Sequence, residues 1–452
     1  MTAAVGLASC GGSSGTPAAS SLPERVSHKK SSSNYIQHIV VIIQENRSFD
    51  DLFATFPGAN GATQGLMKQQ SGGDIYVQLQ KVKLKEGCDF PHGYLGGFQK
   101  QLDGGKMDGF GLGGGLCHGN TTAAYQYVDP EMITPYWFMA ENYVLGDAMF
   151  QTQGSGSFTA HQDLIAGATI INKAKTTSIV DTPTHTPWGC DAPHGTKTSV
   201  LKYIGSTLQL FHNGPYPCLT YETLRDLLDA NSVSWKYYTP SIQKGSEGRL
   251  WNAFEAIKAV REGSEWNQNI SSPETNIFGD ITNGQLAAVS WVVPDRQNSD
   301  HPAGPGGDTG PSWVASVVNA VGESQYWSNS AIIVVWDDWG GFYDHVPPPL
   351  TDHWGGLGFR VPFLLVSPYA REAYPSQPGY ISHTPYEFGS ILKFIEQTFN
   401  LGSLGTTDAR ATSISDSFDF TQQARTFLQV PSSHSKSFFQ HQKPSGAPVD
   451  DE

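Results

Sequence analysis

The sequence has no stretch of about eighteen consecutive apolar residues, which excludes a transmembrane helix of ordinary length within the folded part. It has no excess of positive charge either: 28 Lys and Arg stand against 42 Asp and Glu, a formal net charge of −14. Generic binding of nucleic acid by charge is thereby excluded, and an anionic substrate has to be met by local cations. No CxxC pair exists, so a zinc knuckle is excluded. HExxH, the phosphate-cradling GxxxxGK[ST] and CxPxR are absent as well. What is plentiful is glycine (49) and proline (28), which imply long, shaped loops rather than many helices. Hydrophobic residues at 38% and aromatics at 12% suffice for a sizeable core in one large domain or two medium ones.

Cysteine is sparse: Cys10, Cys88, Cys117, Cys190 and Cys218. Leu7-Ala8-Ser9-Cys10, followed by Gly-Gly-Ser-Ser-Gly, resembles a lipoprotein cleavage box with a flexible tether, making Cys10 a candidate lipid anchor. The charged start and long apolar core of an export signal are missing, so the box predicts a start further upstream. Removing Cys10 leaves an even number, which suits two disulfides in an exported protein. Of the three connectivities, the expected one is Cys88–Cys117 with Cys190–Cys218; free thiols are the alternative. Localisation is then periplasmic, cell-surface or secreted.

Residues 1–34 read as a disordered tether rich in Ser, Gly, Ala and Lys. A single catalytic domain is expected over 35–430, with a polar, frayed tail over 431–452. Ile39 to Ile43 is five β-branched residues in a row, the mark of a strand buried on both faces of a parallel sheet. Ala331 to Val335 (AIIVV) is a second such run. Further strands are expected at Tyr143–Phe150, Val233–Tyr238, Leu286–Val293 and Val361–Val366. Helical spacing marks Thr134–Asn142, Thr220–Ala230, Pro311–Val321 and Pro385–Phe399. Strand–helix alternation predicts a three-layer α/β/α sandwich around a mostly parallel sheet. The stretches from Gly58 to Gln126 and from Thr176 to Cys218 read as irregular loops, and no internal repeat is visible.

Both long apolar runs end in hard oxygen donors. The first stops at Gln44, Glu45 and Asn46, the second at Trp336, Asp337 and Asp338. Functional groups of open α/β sheets lie at the carboxyl ends of strands. Adjacent aspartates repel each other unless a cation or solvent offsets them, so a metal site is a better reading than two coincidental turns. A hydroxyl for nucleophilic attack is sought in Gln151-Thr152-Gln153-Gly154-Ser155-Gly156-Ser157, between an expected strand and a helix. There a metal would lower the hydroxyl pKa and helix N–H groups would favour phosphate. Ser155 and Ser157 both qualify, and simple helix capping is the commoner role for such a serine. His92, His301, His345 and His383 lie in turns or between elements, and as a group they would supply donors and a proton for a leaving group. Two pattern matches are set aside: Gly11–Gly15 (GxSxG) lies in tether, and Gly109–Gly114 (GxGxxG) follows no strand.

Four blocks, HIVVIIQENRSFDDLF, GGKMDGF, WDDWGGFYDHVPPP and SHTPYEFGSILKFIEQTF, together resemble the bacterial phosphoesterase family that joins phospholipases C of the non-haemolytic type to acid phosphatases. The resemblance runs in matching order over about residues 35 to 425 and implies an alkaline-phosphatase-like fold. It implies one divalent metal ion, of unknown identity, held by Glu45, Asn46, Ser157, Asp337 and Asp338. The Gly-Ser-Phe-x-x-His form of the phosphatases matches Gly156 to His161 and favours Ser157 as nucleophile. The Gly-Pro-Thr loop of the phospholipases is absent, and Asp338 stands where those members often carry Glu. His92 and His301 correspond best to the phosphate-contacting histidines, with His345, His194 and His383 as candidates for a third. The implied reaction is hydrolysis of a phosphate ester, a phospholipid among the candidate substrates, through a phosphoserine. A phosphoryl transferase and a non-catalytic surface-binding lipoprotein are the alternatives.

Overall fold

The computed structural model describes residues 1–2, 32–85, 88–112, 117, 119–243, 249–302, 309–349, 356–373 and 379–445. The tether, with Cys10 and the Gly11–Gly15 match, lies outside them apart from its ends.

Eight strands make the main sheet: β1 (His38–Gln44), β2 (Val144–Gly146), β3 (Trp235–Tyr238), β4 (Ile270–Ser271), β5 (Val289–Val292), β6 (Ser330–Trp336), β7 (Phe363–Val366) and β8 (Tyr380–Ser382). Their spatial order is β4-β3-β5-β1-β6-β7-β2-β8. Five of the seven pairings are parallel. Only β7 runs against its two neighbours. The two apolar runs of the sequence are the adjacent central strands β1 and β6, in register from His38 opposite Ser330 to Gln44 opposite Trp336. Ile39 to Ile43 and Ala331 to Trp336 are all 0% exposed, which is why neither run alternates. Burying each such side chain contributes roughly 1.5–3 kcal/mol.

The helices relevant here are α1 (Phe49–Phe53), α2 (Thr134–Asn142), α3 (Ser157–Ala166), α4 (Leu224–Ala230), α5 (Asn276–Thr282), α6 (Thr309–Gly322), α7 (Phe388–Phe399), α8 (Thr407–Arg410) and α9 (Lys436–His441). They pack in two groups. In one, α6 touches α2, α5 and α9; in the other, α7 touches α3 and α8, and α3 touches α4. With the central strands buried on both sides, one group covers each face of the sheet. The α/β fold with its mostly parallel sheet is therefore as expected from the alternation of elements.

Several expectations are refined. Tyr143–Phe150 is two short strands, Val144–Gly146 and Met149–Phe150, because the buried Asp147 between them turns its carboxylate to Asn60 N (2.8 Å) and His383 Nδ1 (2.7 Å). The loop-like Gly58–Gln126 region holds an antiparallel pair, Gln64–Lys68 with Asp74–Gln78. Thr176–Cys218 holds a three-stranded antiparallel sheet, Thr177–Val180, Ser199–Ile204 and Thr207–Phe211. Both expected disulfides, Cys88–Cys117 and Cys190–Cys218, are present. The tail is not frayed over 431–445. Phe439 of α9 is buried against Trp313 with ring centroids 5.4 Å apart, and Asn298 Nδ2 donates to Gln442 Oε1 at 2.8 Å.

A buried ionic cluster fixes α1 to the loops that leave β6 and enter β7. Arg360 Nε donates to Asp344 Oδ1 (2.9 Å), and its Nη2 donates to Asp344 Oδ2 (3.0 Å) and Asp50 Oδ1 (3.3 Å). All three side chains are wholly buried, and the guanidinium also lies 4.6 Å from the Phe49 ring. His345 closes the cluster through Nδ1 to Asp50 Oδ2 at 2.6 Å. Burial alone would lower the His345 pKa, but the hydrogen bond and charge of Asp50 raise it above 6.5. Protonated His345 thus contributes stability that is fully present below about pH 6.5 and is lost as pH rises through the folded-state value. The melting-temperature advantage of wild type over His345→Gln is expected to shrink from pH 6 towards pH 8 (about the range in which an imidazole titrates). A difference that grows with pH would refute this linkage.

Candidate metal centre and nucleophile

Because Gln44 and Trp336 are register partners, the next residues of β1 and β6 emerge side by side at one sheet end. Asn46 adopts a left-handed conformation (φ +52°), and its N–H donates to Asp337 Oδ1 at 3.0 Å. Gly340 (φ +60°) permits the β6 loop to fold back on it: a Cβ there would lie 2.4 Å from the Asn46 carbonyl oxygen. Asp338 is held by Gly340 N–H to its Oδ1 at 2.7 Å. Glu45, Asn46, Asp337 and Asp338 are all 0% exposed.

The chain reaches the same spot from a third direction. After Met149–Phe150 it forms the loop 151–156 and enters α3 at Ser157, the first helical residue, with Gly156 as cap. Ser157 Oγ donates to Asp338 Oδ2 (3.1 Å) and lies 3.5 Å from Asn46 Oδ1. Ser155, the other candidate hydroxyl, is engaged otherwise: it accepts from Thr159 Oγ1 (2.6 Å) and Asp181 N (2.8 Å). Geometry therefore separates the two serines, with Ser157 beside the carboxylates and Ser155 bracing the loop.

His92 enters from the segment bracketed by Cys88–Cys117. Its Nδ1 bonds the Phe90 carbonyl, which leaves Nε2 to accept from Asn46 Nδ2 at 3.0 Å. The Asn46 amide thus spans His92 and Ser157. His92 Nε2 is also 3.9 Å from Asp338 Oδ2. One residue absent from the sequence-based ligand set joins them: His161 Nε2 lies 2.9 Å from Glu45 Oε1 and 3.8 Å from Asp337 Oδ2. Its signal was its spacing, since Ser157 and His161 are four apart and share one face of α3.

His345, His194 and His383 are placed elsewhere, and His301 borders the centre. His301 is buried, stacked on Trp251 at 6.0 Å, with Nδ1 toward the Pro302 carbonyl. It is linked to the centre through the backbone, since Glu45 N donates to the Ser299 carbonyl at 2.8 Å. Beside it, burial pushes the Asp300 carboxyl up to about 7, although Tyr136 OH donates to it at 2.6 Å. His345 belongs to the Arg360 cluster, a placement that departs from the expected phosphate contact. His194 is exposed, and His383 is 65% exposed and paired with Asp147.

The donor set fits a hard divalent cation. One ligand atom each from Glu45, His161 and Asp337 lie within 4.8 Å of one another. The oxygens of Asn46, Ser157 and Asp338 adjoin them. Asp337 Oδ2 is buried and accepts no hydrogen bond. The three buried carboxylates repel one another strongly, and oxygen-rich sites of this kind suit Mg²⁺, Mn²⁺ or Ca²⁺. By contrast Asp50, Asp344 and His345 also converge, but Arg360 already supplies their positive charge.

Comparison with known proteins gives the family. A family model described as the phosphoesterase family matches residues 36–402. Phospholipase C A of Mycobacterium tuberculosis is 26% identical over 422 aligned residues, covering 81% of this chain and 73% of that protein. Non-hemolytic phospholipase C of Pseudomonas aeruginosa is 24% identical, covering 81% of this chain and 54% of its own length. Among solved structures, a protein in the alkaline phosphatase superfamily from Vibrio parahaemolyticus aligns with a TM-score of 0.37 at 10% identity, over 85% of this chain and 72% of that one. With the family model spanning most of the folded part, the chain belongs to the phosphoesterase family and is a hydrolase of phosphoric esters.

Proposed function

We propose that the protein hydrolyses phosphate monoesters through a phosphoserine on Ser157. The observation that carries this reading is Ser157 Oγ at a helix N-terminus, 3.1 Å from Asp338 Oδ2 and 3.5 Å from Asn46 Oδ1. Glu45, Asn46, Ser157, Asp337 and Asp338 would hold one divalent cation. Bound there, a cation would lower the pKa of the serine hydroxyl and offset charge on the phosphoryl oxygens. His161 orients Glu45 through its 2.9 Å hydrogen bond.

The substrate phosphorus lies in line with Ser157 Oγ. As the Oγ–P bond forms, the Oγ proton passes to Asp338 Oδ2, its hydrogen-bond acceptor, and the bond from phosphorus to the leaving oxygen breaks. Protonated His92, beside Asn46, would donate from Nε2 to a phosphoryl oxygen in place of accepting from Asn46 Nδ2, and the N–H groups of the first turn of α3 face the same charge. His301 is the second histidine, delivering a proton to the departing alkoxide. Water then attacks phosphorus, releases phosphate and returns a proton to Ser157. The serine loop favours a monoester. A second reading, hydrolysis of a phosphodiester in a phospholipid, rests on the phospholipase C relatives. An exported location accords with the two disulfides, and no helix among the described residues is long and apolar enough to cross a membrane. Lipidation at Cys10 would anchor the protein to a surface.

Purified protein with added divalent metal should cleave an aryl phosphomonoester faster than an aryl phosphocholine diester or phosphatidylcholine. Faster diester or lipid cleavage would transfer the assignment to phospholipase C, and silence on all three would sink both readings. Adding an alcohol and analysing products separates hydrolysis from transfer. Ser157→Ala should lower kcat by at least about a thousandfold, in the range seen when a nucleophile is removed, with an unchanged circular dichroism spectrum. Wild-type turnover in that variant would eliminate Ser157. Asp337→Asn is expected to weaken metal binding by about ten- to a hundredfold, by analogy with the loss of supporting ligands at metal sites. Equal metal content by elemental analysis would count against Asp337 as a ligand.

A further inference from the structure

Arg47 follows Glu45 and Asn46 directly and is wholly buried. A guanidinium buried only to neutralise a carboxylate would be spent on Asp51, whose Oδ2 accepts from Nη1 at 3.0 Å. Arg47 divides its donors otherwise. Its Nε donates to the Asp300 carbonyl at 2.9 Å, and its Nη2 donates to the Leu84 carbonyl at 2.8 Å. Its Cζ lies 4.8 Å from the centroid of the Phe342 ring. Several targets in different directions need the rigid fork of an arginine, which the single ammonium of lysine does not reproduce.

Two of these contacts lead to a histidine. The Asp300 carbonyl belongs to the peptide that joins Asp300 to His301, so the Nε bond fixes that peptide plane. Asp300 has a left-handed backbone (φ +69°), which a residue other than glycine keeps only where its surroundings hold it. The two residues before it are held as well: Gln44 Nε2 donates to the Asn298 carbonyl at 3.2 Å, and Glu45 N to that of Ser299 at 2.8 Å. Residues 44, 45 and 47 thus carry the His301 turn on the end of β1. On the other side, the Phe342 ring meets the Phe90 ring edge-on at 5.3 Å, and the Phe90 carbonyl accepts from His92 Nδ1 at 2.5 Å.

We propose that Arg47 is a positioning residue, setting His301, which protonates the leaving alkoxide, relative to His92, which meets the phosphoryl oxygens. The inference rests on the roles given to those histidines in the proposed function. Its consequence is selective. Displacing an acid costs most where the leaving oxygen most needs a proton, so loss of Arg47 falls on alkyl phosphates more than on aryl phosphates with a stable phenolate. A residue needed only for folding lowers both alike.

The test is kcat/KM for n-butyl phosphate and for p-nitrophenyl phosphate, at saturating divalent metal, in the full-chain wild type, Arg47→Lys and His301→Gln. Arg47→Lys keeps a cation opposite Asp51 and is expected to lose at least about tenfold more on n-butyl phosphate than on p-nitrophenyl phosphate. His301→Gln should show the same bias. Bias in His301→Gln with none in Arg47→Lys would overturn the positioning role alone. No bias in His301→Gln, or a silent wild type, overturns it together with the proposed function of His301. If Arg47→Lys does not fold, the double variant Arg47→Met with Asp51→Asn decides. It removes the guanidinium without leaving a buried charge unpaired, and it keeps an acceptor for Gln126 Nε2.

Discussion

The repulsion among Glu45, Asp337 and Asp338 is the constraint around which this end of the molecule is arranged. Two parallel strands in register deliver three carboxylates to one buried point. Keeping them there requires a left-handed Asn46, a glycine at 340 that no Cβ can replace, and hydrogen bonds from backbone N–H groups to Asp337 and Asp338. The apolar strands behind them supply the energy that holds this arrangement in place. Each buried β-branched side chain of β1 and β6 adds stability that local charge repulsion can draw down without unfolding the sheet.

The same region shows how such repulsion is handled when it is structural. Asp50 and Asp344 are as buried as the carboxylates of the metal centre, but Arg360 is bonded to both. Asp51 likewise has Arg47 at 3.0 Å. At the centre the ion-pair partners of Glu45 and Asp337 are instead an imidazole, His161. An internal guanidinium makes a cluster permanent, whereas an imidazole leaves room for a cation from solution. Two acidic groups a few residues apart thus take different roles because of what lies opposite them, which residue counts alone do not reveal.

Much of this was legible in the chain, and for physical reasons. The runs Ile39–Ile43 and Ala331–Val335 lack alternation because both faces of their strands are covered, and hard oxygen donors at their ends marked the candidate site. The choice between Ser155 and Ser157 was not legible from residue type, since either hydroxyl could cap α3. It becomes so when Asp181 and Thr159 are seen to occupy Ser155. His161 was visible as one turn beyond Ser157, but its partner, Glu45, lies 116 residues away. His345 looked eligible because it follows a metal-strand motif, yet its role is decided by Asp50, 295 residues distant. Phe439 is a similar case: its burial depends on Trp313, so polarity alone misjudged the tail. What sequence withheld was the identity of tertiary partners, not the chemistry of the groups.

Those partners also tie the nucleophile to the loops around it. Ser155, two residues before Ser157, is bonded to Asp181, and Asp181 accepts the N–H of Tyr94, just beyond His92. Gly154 faces the Phe98 ring so closely that a Cβ would fall 2.1 Å from it. The loop 151–156 is therefore clasped between the His92 segment, closed by Cys88–Cys117, and the three-stranded excursion that begins at Thr177. An in-line attack demands that the serine oxygen be fixed to within a fraction of an ångström. Because the elements that fix it are the same irregular segments that surround the candidate site, changes there also move Ser157. A shift of Asp181 or Phe98 accordingly reaches Ser157, while Glu45, Asn46, Asp337 and Asp338, set at the strand ends, stay where the sheet puts them.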